Sequence, residues 1–317
     1  MRATVAVAAL LMSSALTAHG QAGQSASNAA GTVPDRGVIL QQAVDARQAG
    51  RTGEAVRLFR LAAERYQSVQ AYLELARMQS RAEEATNALD SLSKARAIAP
   101  NSEEVLSAYA QLSLAAKLPM PAVLTLQALT RVYPAVSQYH YLLGVGLMAC
   151  GDMPSAIESL TEADRLEPER ALTQLALGLA LNHRKRFADA KQALSRSLEL
   201  QPDSVDAVAA LAEAEVGLGD YDAAAARAQL ALERSPGHAT ANFVMGMVLM
   251  ERRNYAEARD ALLKAADSDP ESPKAVYQLS LVYARLGDDT TARRYVNLYQ
   301  ERLHGVDERL KALREKK

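Results

Sequence analysis

The residue types that most often carry reactions are thinly and separately placed in this chain. Beyond the N-terminal stretch its histidines are His140, His183, His238 and His304, with no metal-ligand spacing among them. Cys150 is the only cysteine, so no disulfide can form within the chain. Its place just before Gly151 suits a small apolar filler at a helix end. No phosphate loop, serine elbow or HExxH helix is present. The carboxylates, as in Glu103-Glu104 and Asp288-Asp289, read as solvated charges at helix starts or turns. These residues predict no catalytic group, no metal ligand and no cofactor, and the expectation is that the chain is not an enzyme. What remains is a contact surface. Phe243, Met247 and Met250 stand at i, i+4 and i+7, so they share one face of a helix. Such a set either packs against neighbouring helices or binds a partner of adaptable shape.

The elements that position these residues come from a repeat. Ala171–Ser204 is one complete unit: an apolar helical half, a basic turn, a second helical half and a closing Gln201-Pro202-Asp203. Pro100, Pro134, Pro168, Pro202, Pro236 and Pro270 lie 34 residues apart, the signature of a stacked helical array. The units start near 36, 69, 103, 137, 171, 205, 239 and 273. The twentieth residue of the seven full-length units is always alanine (Ala88, Ala122, Ala156, Ala190, Ala224, Ala258, Ala292), and the eighth is always small. Large side chains there would overpack the contact between the two helices of a unit. Ala190→Leu is therefore expected to destabilise, whereas Lys191→Ala next to it is read as a surface change worth less than about 0.5 kcal/mol. Gly151-Asp152, Gly219-Asp220 and Gly287-Asp288 have the form of glycine C-caps. Each lattice proline stops a second helix. Stacked units bury one continuous core, so residues 36–306 are expected to behave as one extended body.

This pattern resembles the tetratricopeptide repeat family over about Arg36 to Val306. The resemblance implies an all-α fold, an α-solenoid of antiparallel helix pairs stacked into a right-handed superhelix whose first helices line a concave groove. It also implies inward-facing positions 2, 5, 9, 12 and 13 in each unit. On that basis the candidate partner-binding residues are Tyr141, Leu175, Phe243, Met247, Met250, Tyr277 and Leu281, with Arg77 and Arg81 on the N-terminal half. The Lys and Asn pair with which some family members clamp a peptide carboxylate is missing from every unit. The family's usual large fourth residue is replaced by His140, Gln174 and Asn242. These three are expected either to loosen the packing or to form a polar strip.

The ends complete the organisation. Residues 1–20 have a charged start at Arg2, an apolar run and small residues at Ala18 and Gly20, the pattern of a secretory signal peptide. Residues 21–35 are expected to form a flexible leader, and 307–317 a C-terminal capping helix beyond Gly305 with Leu310 and Leu313 on its apolar side. No cysteine follows the apolar run, so the chain lacks a lipoprotein attachment site, and it is expected in the periplasm if its source is Gram-negative. Net charge is −1 with acids and bases interspersed, which leaves no basic face for nucleic acid. No stable membrane insertion is expected after signal cleavage. The expected function is a protein-binding scaffold or adaptor in the cell envelope. A self-assembling subunit, or an accessory regulator of an enzyme encoded elsewhere, are the alternatives.

Overall fold

A computed structural model describes residues 35–81 and 84–315; the signal and leader segments lie outside the described residues. Sixteen helices, and no strands, occur among them. They are α1 (Arg36–Gln48), α2 (Thr52–Tyr66), α3 (Val69–Arg81), α4 (Ala85–Ile98), α5 (Glu103–Ala115) and α6 (Pro119–Val132). Then come α7 (Ser137–Cys150), α8 (Met153–Leu166), α9 (Ala171–His183), α10 (Phe187–Leu200) and α11 (Val205–Leu218). The last five are α12 (Tyr221–Arg234), α13 (Ala239–Glu251), α14 (Tyr255–Ser268), α15 (Pro273–Arg285) and α16 (Asp289–Glu315).

The repeated residues dictate this arrangement. Second helices end at Ile98, Val132, Leu166, Leu200, Arg234 and Ser268, each two residues before its lattice proline. Proline forces the residue before it out of helical geometry, so the stop recurs at the same place. Side chains then cap the next start: Ser204 accepts from the Ala207 amide at 3.2 Å, and Asp152 from the Ser155 amide at 3.3 Å. Between the helices of a pair the chain turns through a left-handed residue, Gly151, Gly219 or Gly287 in alternate units. In the units between, Lys117, Lys185 and Arg253 take the same conformation.

The repeated alanines are where the helices of a pair meet. Ala88, Ala122, Ala156, Ala190, Ala224 and Ala258 are all fully buried. The glycines at the eighth position go further. A methyl group placed on Gly144, Gly178 or Gly246 would sit 2.5, 2.4 or 2.6 Å from Cγ of Leu160, Leu194 or Leu262. That leucine is the twenty-fourth residue of the same unit, so glycine makes room for it.

His140, Gln174 and Asn242 each bond back to the unit before rather than to one another. Nε2 of His140 donates to the Pro134 carbonyl at 2.9 Å, and Nδ2 of Asn242 to the Pro236 carbonyl at 3.0 Å. Each thus ties its helix to the lattice proline six residues back. Gln174 is buried and donates to the Asp164 carboxylate at 2.5 Å.

The chain forms two compact units, parting between Leu129 and Thr130, rather than the single body expected from the repeat. An array in which each pair packs only on its neighbours has few interactions across any one junction, so compactness can divide at one of them. The first unit's core is built around Ile39, Phe59, Leu75 and Leu92. In the second, successive hairpins share small clusters, such as Leu194 with Leu175 and Leu211, and Leu262 with Leu279 and Val282. The C-terminus also differs from expectation. α16 runs through Gly305 without a break, so residues 307–315 continue the last repeat helix.

Candidate functional site

First helices of neighbouring hairpins touch one another in the second unit: α7 with α9, α9 with α11, α11 with α13, and α13 with α15. They form a row, and the expected binding residues of this unit all lie on it. The structure divides those residues by depth. Tyr141 and Leu175 are buried, at 4% and 7% exposure, which removes them from the docking surface. The Arg170 guanidinium lies over the Tyr141 ring, 4.3 Å from its centroid, and burial pushes the phenol's pKa up against the opposing effect of that charge. Leu175 belongs to a buried cluster that includes Ala207, Ala210 and Leu211 of the following first helix.

Further along the row the side chains come outward. Phe243 is half-buried and touches two core clusters, one with Val244 and Val248, the other with Leu279 and Val282. Met247 and Met250 are half-buried too. Tyr277 and Leu281, one turn apart on α15, are 44% and 39% exposed. Phe243, Met250, Tyr277 and Leu281 therefore grade from core to surface across α13 and α15. Tyr277 has one aromatic neighbour, Tyr299 of α16, at 5.1 Å between ring centroids.

Sequence reasoning missed the polar part of this face. Lys274 of α15 pairs with Glu213 of α11, reaching past the intervening hairpin. His183, at the end of α9, feels both charges. It is open to solvent yet surrounded by the row of helices, and that burial, followed by Lys274, lowers its pKa. Each of the three occupies an inward-facing position, so the positional pattern was available. What could not be read was that residues 61 apart come together.

The first unit presents a different surface. Arg47 of α1 pairs with Glu74 of α3. Arg77 pairs with the same Glu74 at 2.7 Å and with Glu104 of α5 at 2.9 Å. This is a ladder of ion pairs across three first helices, and it occupies Arg77 with carboxylates of its own chain. Arg81 is exposed at the end of α3.

A second charged cluster is structural. Glu215 is 1% exposed, and both its carboxylate oxygens accept from Nε of Arg227, at 2.9 and 3.0 Å. Lys191 stands 3.6 Å away on α10. Lys191 is therefore a partner of a buried charge, and not the bystander that the sequence suggested. Among the described residues, no group of three or more His, Cys, Asp or Glu could hold a metal ion. No described helix is long and apolar enough to cross a membrane.

Comparison with known proteins gives three findings. A family model described as tetratricopeptide repeat matches residues 40–103, 141–205, 175–239, 209–273 and 243–304. Over 162 residues the chain is 31% identical to the type IV pilus assembly protein PilF of Pseudomonas aeruginosa, covering 49% of this chain and 62% of that protein. The chain thus spans less than two thirds of that relative's length. Among solved structures, a tetratricopeptide repeat protein from Parabacteroides merdae superposes with a TM-score of 0.61 at 14% identity, covering 78% of this chain and 98% of the other. The C-terminal part of a repeat-containing protein from Cytophaga hutchinsonii gives 0.52 at 19% identity, covering 76% and 99%. At these identities the likeness is one of fold.

Proposed function

The chain belongs to the tetratricopeptide repeat family, and from that premise we propose that it is a non-catalytic scaffold which holds a protein segment against the row of first helices in its second unit. The observation that carries this reading is the gradient from Phe243 and Met250 to Tyr277 and Leu281. An aromatic and a leucine stand exposed one turn apart, rooted in half-buried apolar neighbours. Exposed apolar groups that adjoin a core are what interfaces use as anchors. Helix-in-groove or extended-segment docking supplies the mode.

Tyr277 is the position to test. A photoreactive phenylalanine analogue at 277 should cross-link a protein from an extract of the native host, and the purified partner then allows affinity to be measured. Tyr277→Ala should weaken that partner by on the order of 2 kcal/mol while thermal unfolding stays cooperative. Undiminished affinity would move the docking site to another face. Phe243→Ala is a poorer probe, because Phe243 also supports Leu279 and Val282 and its loss would weaken the fold itself.

The relative named a type IV pilus assembly protein supports a place in the cell envelope, assembling a multiprotein structure there. This goes with the signal-like residues 1–20. Mature protein from the native host should begin near Gln21, and an intact mass corresponding to the full chain would remove the export step. A self-assembling subunit is the second reading, and elution as a monomer over a range of concentrations would count against it.

A further inference from the structure

α16 is 27 residues long, whereas α8, α10, α12 and α14 have 14 each. Its first half is the second helix of the last hairpin. It runs antiparallel to α15, with Tyr295 stacked on Tyr283 at 5.4 Å and Tyr299 against Tyr277 at 5.1 Å. Arg302 ends that stretch by donating to the carbonyl of Ser272, the residue just before α15 begins, at 2.9 Å. α15 is used up at that point. Residues 303–315 project past it by roughly 20 Å at helical rise.

The same helix also meets α7, the first member of the row that α15 ends. α16 therefore joins the two ends of the row as a chord joins the ends of an arc. Its continuity needs a cause. Glycine is among the poorest residues for a helix interior, and Gly305 lies in the middle of this one. The tail continues a packed helix and needs no new nucleus, but propagation across glycine is weak. The meeting with α7 is available to hold the projecting turns.

We propose that residues 303–315 are a strap seated across the row of first helices, resting on α7 and hinged at Gly305. A partner segment then lies along the whole row, from α15 to α7, only when the strap swings away. This rests on the docking reading above and sharpens it: the partner competes with a helix of the same chain. The strap bridges α15 and α7, the two ends of the row, and leaves Tyr277 and Leu281 exposed between them; Tyr299 touches Tyr277 at its root.

Hydrogen exchange read by mass spectrometry on the full chain tests the strap without any partner. Amides of residues 306–315 should exchange at least about tenfold more slowly than in the Gly305→Pro chain, whose proline breaks the helix at the hinge. Those of α7 should speed up in the same variant, while those of α12 stay as they were. Gly305→Ala keeps the helix and should retain or increase the protection. Exchange of 306–315 at free-peptide rates in the unaltered chain would overturn the proposal. So would a Gly305→Pro variant in which both segments are unchanged, or a Gly305→Ala variant as unprotected as the proline one. Because no partner enters the measurement, failure of a partner to bind counts against the docking reading alone.

Discussion

Gly178→Ala is the sharpest perturbation this packing offers. The added methyl would lie 2.4 Å from Cγ and 2.7 Å from Cδ2 of Leu194. Leu194 is fully buried, and Cγ is too close to the main chain to swing clear, so α9 and α10 must move apart. Overpacking of this kind costs about 1–3 kcal/mol. Replacing glycine by alanine in a helix returns about 1 kcal/mol through propensity. The net expectation is a loss of up to about 2 kcal/mol, read as a lower denaturant midpoint at constant slope. Gly217→Ala is the control. Its methyl would lie 2.3 Å from the Phe187 ring, nominally a worse clash, but Gly217 is exposed and the half-buried ring can turn outward. That variant should be neutral or up to about 1 kcal/mol more stable. In the Leu194→Ala background Gly178→Ala should lose its penalty, since the space is then open. If Gly178→Ala instead gains the about 1 kcal/mol that helix propensity alone supplies, close approach is not why glycine stands there, and the account of the eighth position fails.

Other outcomes follow from the charged and titratable groups. Arg227→Ala should cost up to about 3 kcal/mol by leaving the buried Glu215 with Lys191 alone, whereas Glu215→Leu should be neutral or stabilising, since Leu147, Leu181 and Leu249 fill the same position in other units. Thermal midpoints of the two variants distinguish these outcomes. Burial and Lys274 hold the His183 pKa below its ordinary 6.5, so as pH falls the unfolded chain takes up that proton first. Stability should therefore drop below about pH 6.5 and be unaffected by this group above it, and His183→Gln should flatten that slope in a pH series of denaturant midpoints. Ala190→Leu should lower the denaturant midpoint by an amount equivalent to about 1–3 kcal/mol, because Ala190 is fully buried between the helices of its pair.

What was legible in the sequence is what recurs every 34 residues. The alanines, the close glycines and the stopping prolines each solve a problem within one hairpin, so their spacing alone locates the helix ends and the close contacts. The candidate surface was less legible because depth depends on what the next unit places on top. Tyr141 and Leu175 hold the same fifth position as Phe243 and Tyr277, yet Arg170 covers one and the other shares a buried cluster with Ala207, Ala210 and Leu211. Contacts between non-adjacent units were beyond reach altogether. Lys274 meets Glu213, and α16 meets α7, only because small rotations between successive hairpins accumulate into a curve. Lys191 was misjudged for a related reason. Its importance comes from one off-pattern residue, Glu215, at a site that leucine fills in three other units.

From the third unit to the eighth the left-handed turn residues alternate: Lys117, Gly151, Lys185, Gly219, Arg253, Gly287. All three basic ones are exposed, with φ of 59°, 59° and 61°. Exposed turn tips are where proteases enter a folded chain. Trypsin cuts after lysine and arginine, so between residues 117 and 253 it finds a substrate in every second turn, reinforced by Arg184, Arg186 and Arg252 alongside. The glycine turns Cys150-Gly151-Asp152 and Leu218-Gly219-Asp220 offer it nothing, whereas Arg285 stands exposed beside the Gly287 turn. Partial digestion of the native protein should thus release pieces graded in steps of 68 residues, the distance from Lys117 to Lys185 and from Lys185 to Arg253, although the fold itself repeats every 34.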